Sequence, residues 1–294
     1  MDSEHIQPQE RVYLNYTQAE LDNQYDQRVL VPDISGYIQR WTDGTLAAKR
    51  DLPCIEDISY ADHKDQTLDL YGDTTKAAPL LVYLHGGAWK ALTKAESGYG
   101  APAFVKKGIA FAALNFSTIP NATIDEMVGQ VRQAIAFLYS ESERFNFDRD
   151  QIHLVGHSSG AHMASMIAVT DWSQEFDLPA DVIKSLIAVS GGYDLEPQRL
   201  SARNDYLKLD PEAAFRNTPN HHVAHFQGSA IIAWGEGEHD EYARQGQALQ
   251  TAFEQNGNSS VAMPTKDRNH FDMASEFADP DSPLFAAAIS QIFP

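Results

Sequence analysis

Cysteine is the scarcest resource of this 294-residue chain: there is one, Cys54. A single cysteine excludes an internal disulfide and suits a reducing compartment, the cytoplasm. Long apolar runs are absent too. Stretches such as Ile109–Leu114 fall far short of the ~20 residues that a bilayer-spanning helix needs. The opening residues Met1-Asp-Ser-Glu-His-Ile-Gln-Pro8 have neither a basic start nor an apolar core, so no secretory signal is expected. Positive charge is the third scarcity. Lys and Arg total 22 against 41 Asp and Glu, a formal charge of −19. That balance argues against nucleic acid or an anionic membrane as partner, and a negatively charged substrate needs a local positive or dipolar site.

With 43% hydrophobic and 21% charged residues, the composition is that of an ordinary globular protein. There is no repeat, low-complexity tract or Gly/Ser-rich linker. The length suits one α/β domain with a small cap, and leaves a homodimer open. Residues 1–50 are polar and helical in character. Thr17-Gln-Ala-Glu20 reads as a capping box, with Leu21, Tyr25 and Val29 on one face and the same spacing in Tyr37 and Trp41. This segment is expected to lie as an arm or lid on a main domain spanning 51–294.

From residue 55 the pattern becomes strand-like. Ile55–Tyr60 and Gln66–Tyr71 alternate as antiparallel strands do. Continuous apolar strands follow at Leu80–His85, Ile109–Phe116, Gln151–Gly156, Ile183–Ser190, Ala230–Gly235 and Ser260–Pro264. Helical segments separate them, the clearest being Thr123–Glu143. Doubly buried strands joined by helices specify an α/β fold, a mostly parallel sheet flanked by helices. The irregular stretch 191–226 reads as an excursion over the active-site edge.

Gly156-His-Ser-Ser-Gly160 places Ser158 in a G-x-S-x-G pentapeptide between a strand and an apolar helix, the setting of a nucleophile elbow. A serine hydroxyl needs a base, and the base an orienting acid. His270, the last histidine, follows the final core strand and is the candidate base; His239 lies too near the acid in sequence. After Ala230–Gly235 comes Glu236-Gly-Glu-His-Asp240. A Gly-Glu-x-Asp turn makes Asp240 the best acid, with Glu236 and Glu238 as rivals. His85-Gly-Gly-Ala-Trp89 follows the strand Leu80–Leu84, where an oxyanion loop belongs, so the N–H groups of Gly86, Gly87 and Ser159 are the expected donors. Trp89, Tyr99, Phe116 and Tyr193 sit at strand ends or edge loops and are candidates to line the substrate pocket, though such aromatics serve packing as often. His153, His157 and His162 cluster, as do His221 and His222. Without H-E-x-x-H, a Cys pair or carboxylate–His spacing, no metal site is expected.

Together these residues resemble the kynurenine formamidases (arylformamidases), α/β-hydrolases related to hormone-sensitive-lipase-type esterases. The resemblance spans nearly the whole chain. Its carriers are Leu14-Asn-Tyr…Tyr25-Asp-Gln-Arg28, His85–Trp89, Gly156–His162, Ser190-Gly-Gly-Tyr-Asp-Leu-Glu196, Glu238–Asp240 and Asn269-His-Phe-Asp272. It implies the α/β-hydrolase fold, a triad of Ser158, Asp240 and His270, oxyanion donors at Gly86, Gly87 and Ser159, and no cofactor. The implied activity is hydrolysis of a small-molecule formyl-arylamide, with short-chain or aryl esters as the alternative. A non-catalytic ligand-binding relative is a third reading. Two departures stand out: Phe116-Ser-Thr-Ile-Pro120 where relatives often read Tyr-x-Leu-Ala-Pro, and Ala88 in place of the third glycine of HGGG.

Overall fold

The computed structural model describes residues 10–73 and 77–294. Eight strands form one sheet: β1 (Cys54–Ser59), β2 (Thr67–Tyr71), β3 (Ala78–Leu84), β4 (Ala110–Leu114), β5 (Phe147–His157), β6 (Ile183–Val189), β7 (Ser229–Gly235) and β8 (Ser260–Thr265). Their spatial order is β1-β2-β4-β3-β5-β6-β7-β8. β2 pairs antiparallel with both neighbours, whereas β4 through β8 pair in parallel. The strands expected from the apolar runs match these within a few residues.

Helices α1 (Gln18–Gln24), α2 (Ser35–Asp51), α3 (Ile124–Ser140), α4 (Ser159–Ala168), α5 (Asn204–Leu207), α6 (Asp240–Gln255), α7 (His270–Glu276) and α8 (Pro283–Ile292) carry the rest of the argument. Alternation along β3 feeds two cores. Leu80, Val82 and Leu84 join Val131 of α3, Ala161 of α4 and Leu249 of α6 on one face. Leu81 and Tyr83 join Ala48 of α2, Met273 of α7 and Phe285 of α8 on the other. Both faces are covered, which is why these strands are apolar at every position.

Register fixes where chemistry can occur. Leu84 pairs with Gly156, His157 with Val189, and Val189 with Ala233. The carboxyl ends of β3, β5, β6 and β7 are therefore level, and the loops after them meet at one edge, where open parallel sheets bind ligands.

Residues 17–51 form helices as their caps require. Thr17 and Glu20 make the expected capping box, and Leu21, Tyr25 and Trp41 are buried. Val29 is not: α1 stops at Gln24, so the i+4 spacing lapses and Val29 faces outward. The helix expected to reach Glu143 ends at Ser140 and a separate turn follows at Ser142–Phe145. The 191–226 stretch contains short helices at Glu196–Leu200, Asn204–Leu207 and Pro211–Arg216. None is long enough to show an apolar period in sequence.

Candidate active site

Ser158 occupies φ 58°, ψ −125°, a conformation that side chains of L-residues rarely adopt. Close packing around it holds that strain. A Cβ on Gly160 would stand 2.1 Å from the Leu84 carbonyl oxygen, so only glycine lets α4 begin so close to the end of β3. The Ser158 N–H donates to the Val189 carbonyl at 2.9 Å, tying the elbow to β6. Its hydroxyl is thereby presented on the loop edge.

The candidate base lies beside the candidate nucleophile. Ser158 Oγ lies 2.9 Å from Nε2 of His270, the first residue of α7. The His270 Nδ1–H donates at 2.7 Å to Oε2 of Glu238. That carboxylate, rather than Asp240, completes the chain, which corrects the expected acid. The reason lies in the turn after β7. Oε1 of Glu238 accepts from the Gly235 N–H at 2.7 Å and from the Ser190 hydroxyl at 2.5 Å, so the side chain folds back over the strand end. Two residues on, Asp240 already belongs to the first turn of α6, where an acid suits the helix dipole, and it is exposed. Glu236 is exposed as well. The Glu238 carboxylate is 1% accessible, and its three donors compensate the lost water.

Rings box the base on several sides. Tyr242, His157 and Phe271 lie 4.9, 4.8 and 5.3 Å from the His270 ring centroid. The Nε2–H of His157 donates at 2.8 Å to the backbone carbonyl of His270. Burial first, and then the neighbouring His270, push the His157 pKa down to about 3. A neutral donor thus anchors the base from below. Asn269 caps α7, donates through Nδ2 to the Tyr37 hydroxyl at 3.0 Å, and Tyr37 donates in turn to Asp272 at 2.9 Å.

The expected oxyanion loop adjoins the elbow. A Cβ on Gly86 would meet the His157 carbonyl oxygen at 2.9 Å and the Ser158 Cβ at 3.1 Å, so glycine lets the loop pass close to the elbow. His85 Nδ1–H donates to the Gly86 carbonyl at 2.9 Å. In a trans peptide that turns the Gly87 N–H to the opposite side. Gly87 has φ +103° and a Cβ there would meet the Ala91 carbonyl oxygen at 1.9 Å. Ser159 opens α4, so its N–H has no acceptor within the helix. Its hydroxyl accepts from the Trp89 N–H at 3.2 Å, binding loop to elbow.

The four aromatic candidates fare differently. Trp89 is buried and its indole N–H points to His162 Nδ1 at 3.3 Å. Phe116 stacks on His85 with centroids 4.4 Å apart. Tyr193 is packed against Gly191. Tyr99 lies beneath Trp41 and donates to the Ala274 carbonyl at 2.8 Å, a packing role. The clustered histidines are each committed: His153 to Ser185 Oγ, His157 to His270, and His162 Nε2–H to the Asn217 carbonyl. Sequence reasoning missed the supports Ser190, His157 and Tyr37. Only Ser190, at the end of a core strand, carried any signal.

A level strand edge with a strained serine, a hydrogen-bonded histidine and a glycine-rich loop defines an α/β-hydrolase enzyme. Comparison with known proteins agrees. A family profile described as BD-FAE matches residues 68–191. The kynurenine formamidase of Salmo salar is 31% identical over 88% of this chain and 89% of its own length. That of Danio rerio is 30% identical over 84% of each. Among solved structures, a protein from Silicibacter sp. tm1040 superposes with a TM-score of 0.81 at 24% identity, over 94% of this chain and 99% of that one, a likeness of fold. The chain belongs to the kynurenine formamidase family, and it is a hydrolase of the arylformamidase or carboxylesterase kind. Among the described residues no helix is long and apolar enough to cross a membrane.

Proposed function

We propose that the protein cleaves small-acyl arylamides, formamides resembling N-formylkynurenine, through an acyl-enzyme and without a cofactor. The observation that carries this reading is the continuous chain Ser158 Oγ, His270, Glu238 at 2.9 and 2.7 Å. His270 Nε2 takes the hydroxyl proton as Ser158 Oγ adds to the formyl carbon. The resulting oxyanion meets the N–H groups of Gly86, Gly87 and Ser159, each such donor stabilising the transition state by about 3 kcal/mol. Protonated His270, its charge balanced by Glu238, returns the proton to the departing arylamine nitrogen as the C–N bond breaks. Water then adds to the ester with His270 again as base, releasing formate and free Ser158.

Formyl, the smallest acyl group, suits a serine with Gly86 packed close beside it and a neighbouring loop that carries the buried rings of His85 and Trp89, with Phe116 stacked on His85. An aniline leaves more readily than an alkylamine. The family supports the same choice. Cleavage of short-chain or aryl esters is the second reading, favoured by the fact that it uses every one of these groups. Steady-state kinetics on N-formylkynurenine and p-nitrophenyl acetate test it. The proposal expects kcat/KM on the formamide at least equal to that on the ester; a formamide value far below it overturns the assignment. Cytoplasmic residence is part of the proposal, resting on the lone, half-buried Cys54, whose thiol burial holds up at a pKa of about 11.

A further inference from the structure

We infer that Lys90 and Arg203 form an anion-reading rim at the mouth of the site, selecting substrates whose leaving group carries a carboxylate or comparable anion. This rests on Ser158 as the nucleophile but holds for formamides and esters alike.

The chain has about half as many cationic as acidic side chains, 22 against 41, so a cation is expected to be paired. Many are: Lys49 with Asp69, Arg132 with Glu175, Arg216 with Asp125, Arg244 with Glu241. Neither Lys90 nor Arg203 makes a close ion pair among the described residues, although Asp26 lies within electrostatic reach of Arg203. Each lies over a tyrosine ring instead. Lys90 Nζ stands 4.0 Å from the Tyr206 centroid, and Arg203 Cζ 5.6 Å from that of Tyr25, with Nη2 donating to the Tyr25 carbonyl. A ring face holds a cation in place without neutralising it, so its N–H donors stay available to a ligand.

Their location matters as much as their charge. Lys90 follows Trp89, whose N–H reaches Ser159 beside the nucleophile. Tyr206 lies on α5, and Arg203 immediately precedes that helix. On the base side, Tyr242 lies against His270 and within electrostatic reach of both Arg203 and Tyr206. The two charges therefore span the gap from the oxyanion loop to the base. Because His270 hands its proton to the leaving group, that fragment departs on the Tyr242 side, beneath this rim. A third cation, Arg28, also senses Tyr206, but Asp26 grips it with two oxygens and cancels its charge. On a molecule of charge −19 an anionic substrate is repelled at long range, and two cations at the entrance without close ion pairs, Lys90 above all, offset that field locally.

The experiment uses two matched pairs, 2-formamidobenzoate against formanilide and 4-acetoxybenzoate against phenyl acetate, with the full-length enzyme and the variants Lys90→Met and Arg203→Met. The wild type is expected to favour the charged member about tenfold in kcat/KM, with the preference eroding as NaCl rises from about 0.05 to about 0.5 M. Each variant is expected to shrink that charged-to-neutral ratio about fivefold, mainly through KM. Lys107→Met, before β4 at the far edge of the sheet, leaves the ratio unchanged. Arg203 also ties the arm through Tyr25, so Lys90→Met, which breaks no hydrogen bond, is the decisive variant. A wild type indifferent to charge in both pairs, or a ratio unmoved by Lys90→Met, overturns the rim. Charge preference on the esters with no formamide turnover sinks the formamidase reading and leaves the rim standing.

Discussion

Two strand ends present Ser158 and Glu238 to His270 and hold them in opposite ways. At the end of β5 the constraint is steric. Gly160 admits the Leu84 carbonyl, and Ser158 sits at a positive φ beside it. At the end of β7 the constraint is a set of side-chain hydrogen bonds. Glu238 is aimed by Ser190 from the next strand and by Gly235 from its own. The first arrangement is written in five consecutive residues; the second needs partners 48 residues apart. A backbone-determined site tolerates no Cβ, whereas a side-chain-determined one fails by degrees as its donors are removed.

The contrast can be broken most forcefully at the acid. Glu238→Gln keeps the shape but cannot balance an imidazolium, and we expect kcat to fall about 10³- to 10⁴-fold in ester or formamide assays. Asp240→Asn should stay within about twofold, since that carboxylate faces solvent. Equal losses in the two variants would show that the geometry of the acid turn misleads. Gly160→Ala attacks the other strand end, and about 3 kcal/mol of lost stability is expected by chemical denaturation. A variant as stable as the wild type would mean that the elbow is held by something other than close approach.

Four histidines sharpen the comparison through pH. His85, His153 and His162 are pushed down to about 4 by burial, and His157 to about 3. Unfolded, each binds a proton near pH 6.5, so between about pH 6.5 and 4 the unfolded state holds more protons. Stability is then full above pH 6.5 and falls as pH drops, by on the order of 1.4 kcal/mol per pH unit for each histidine. Urea midpoints that stay flat from pH 7 to pH 5 would contradict this. A more modest effect than that of Glu238 belongs to His157, which positions the candidate base without touching substrate. His157→Phe should lower kcat about tenfold with little change in KM, and His157→Gln, which restores an N–H donor, should recover most of it. Parallel losses in both variants would assign His157 to packing alone.

Much of the fold was legible because burial writes itself into sequence. Continuous runs such as Leu80–Leu84 and Ile183–Val189 are covered on both faces, and their boundaries were found nearly to the residue. Ser158 and His270 were singled out as candidates from order and motif, and the structure brings them together. The acid was not, because Glu236, Glu238 and Asp240 share one turn and composition cannot say which of them meets Ser190. Tyr25 and Tyr37 gave no hint of their partners either. Their bonds to Glu241 and Asp272 cross 216 and 235 residues. Val29 shows the converse error, a good spacing that outlived its helix.

Those long spans carry a consequence for assembly in time. Tyr13, Tyr25 and Tyr37 are received by the side chains of Asp194, Glu241 and Asp272, which lie 181, 216 and 235 residues further along. Contacts of such sequence separation are the costliest to close. Docking of this helical segment beside the loops of Glu238 and His270 is therefore expected late in folding, after the sheet has formed. A chain whose sheet and strained serine are in place but whose helical segment is undocked lacks the bonds that Tyr37 makes to Asn269 and Asp272, beside His270.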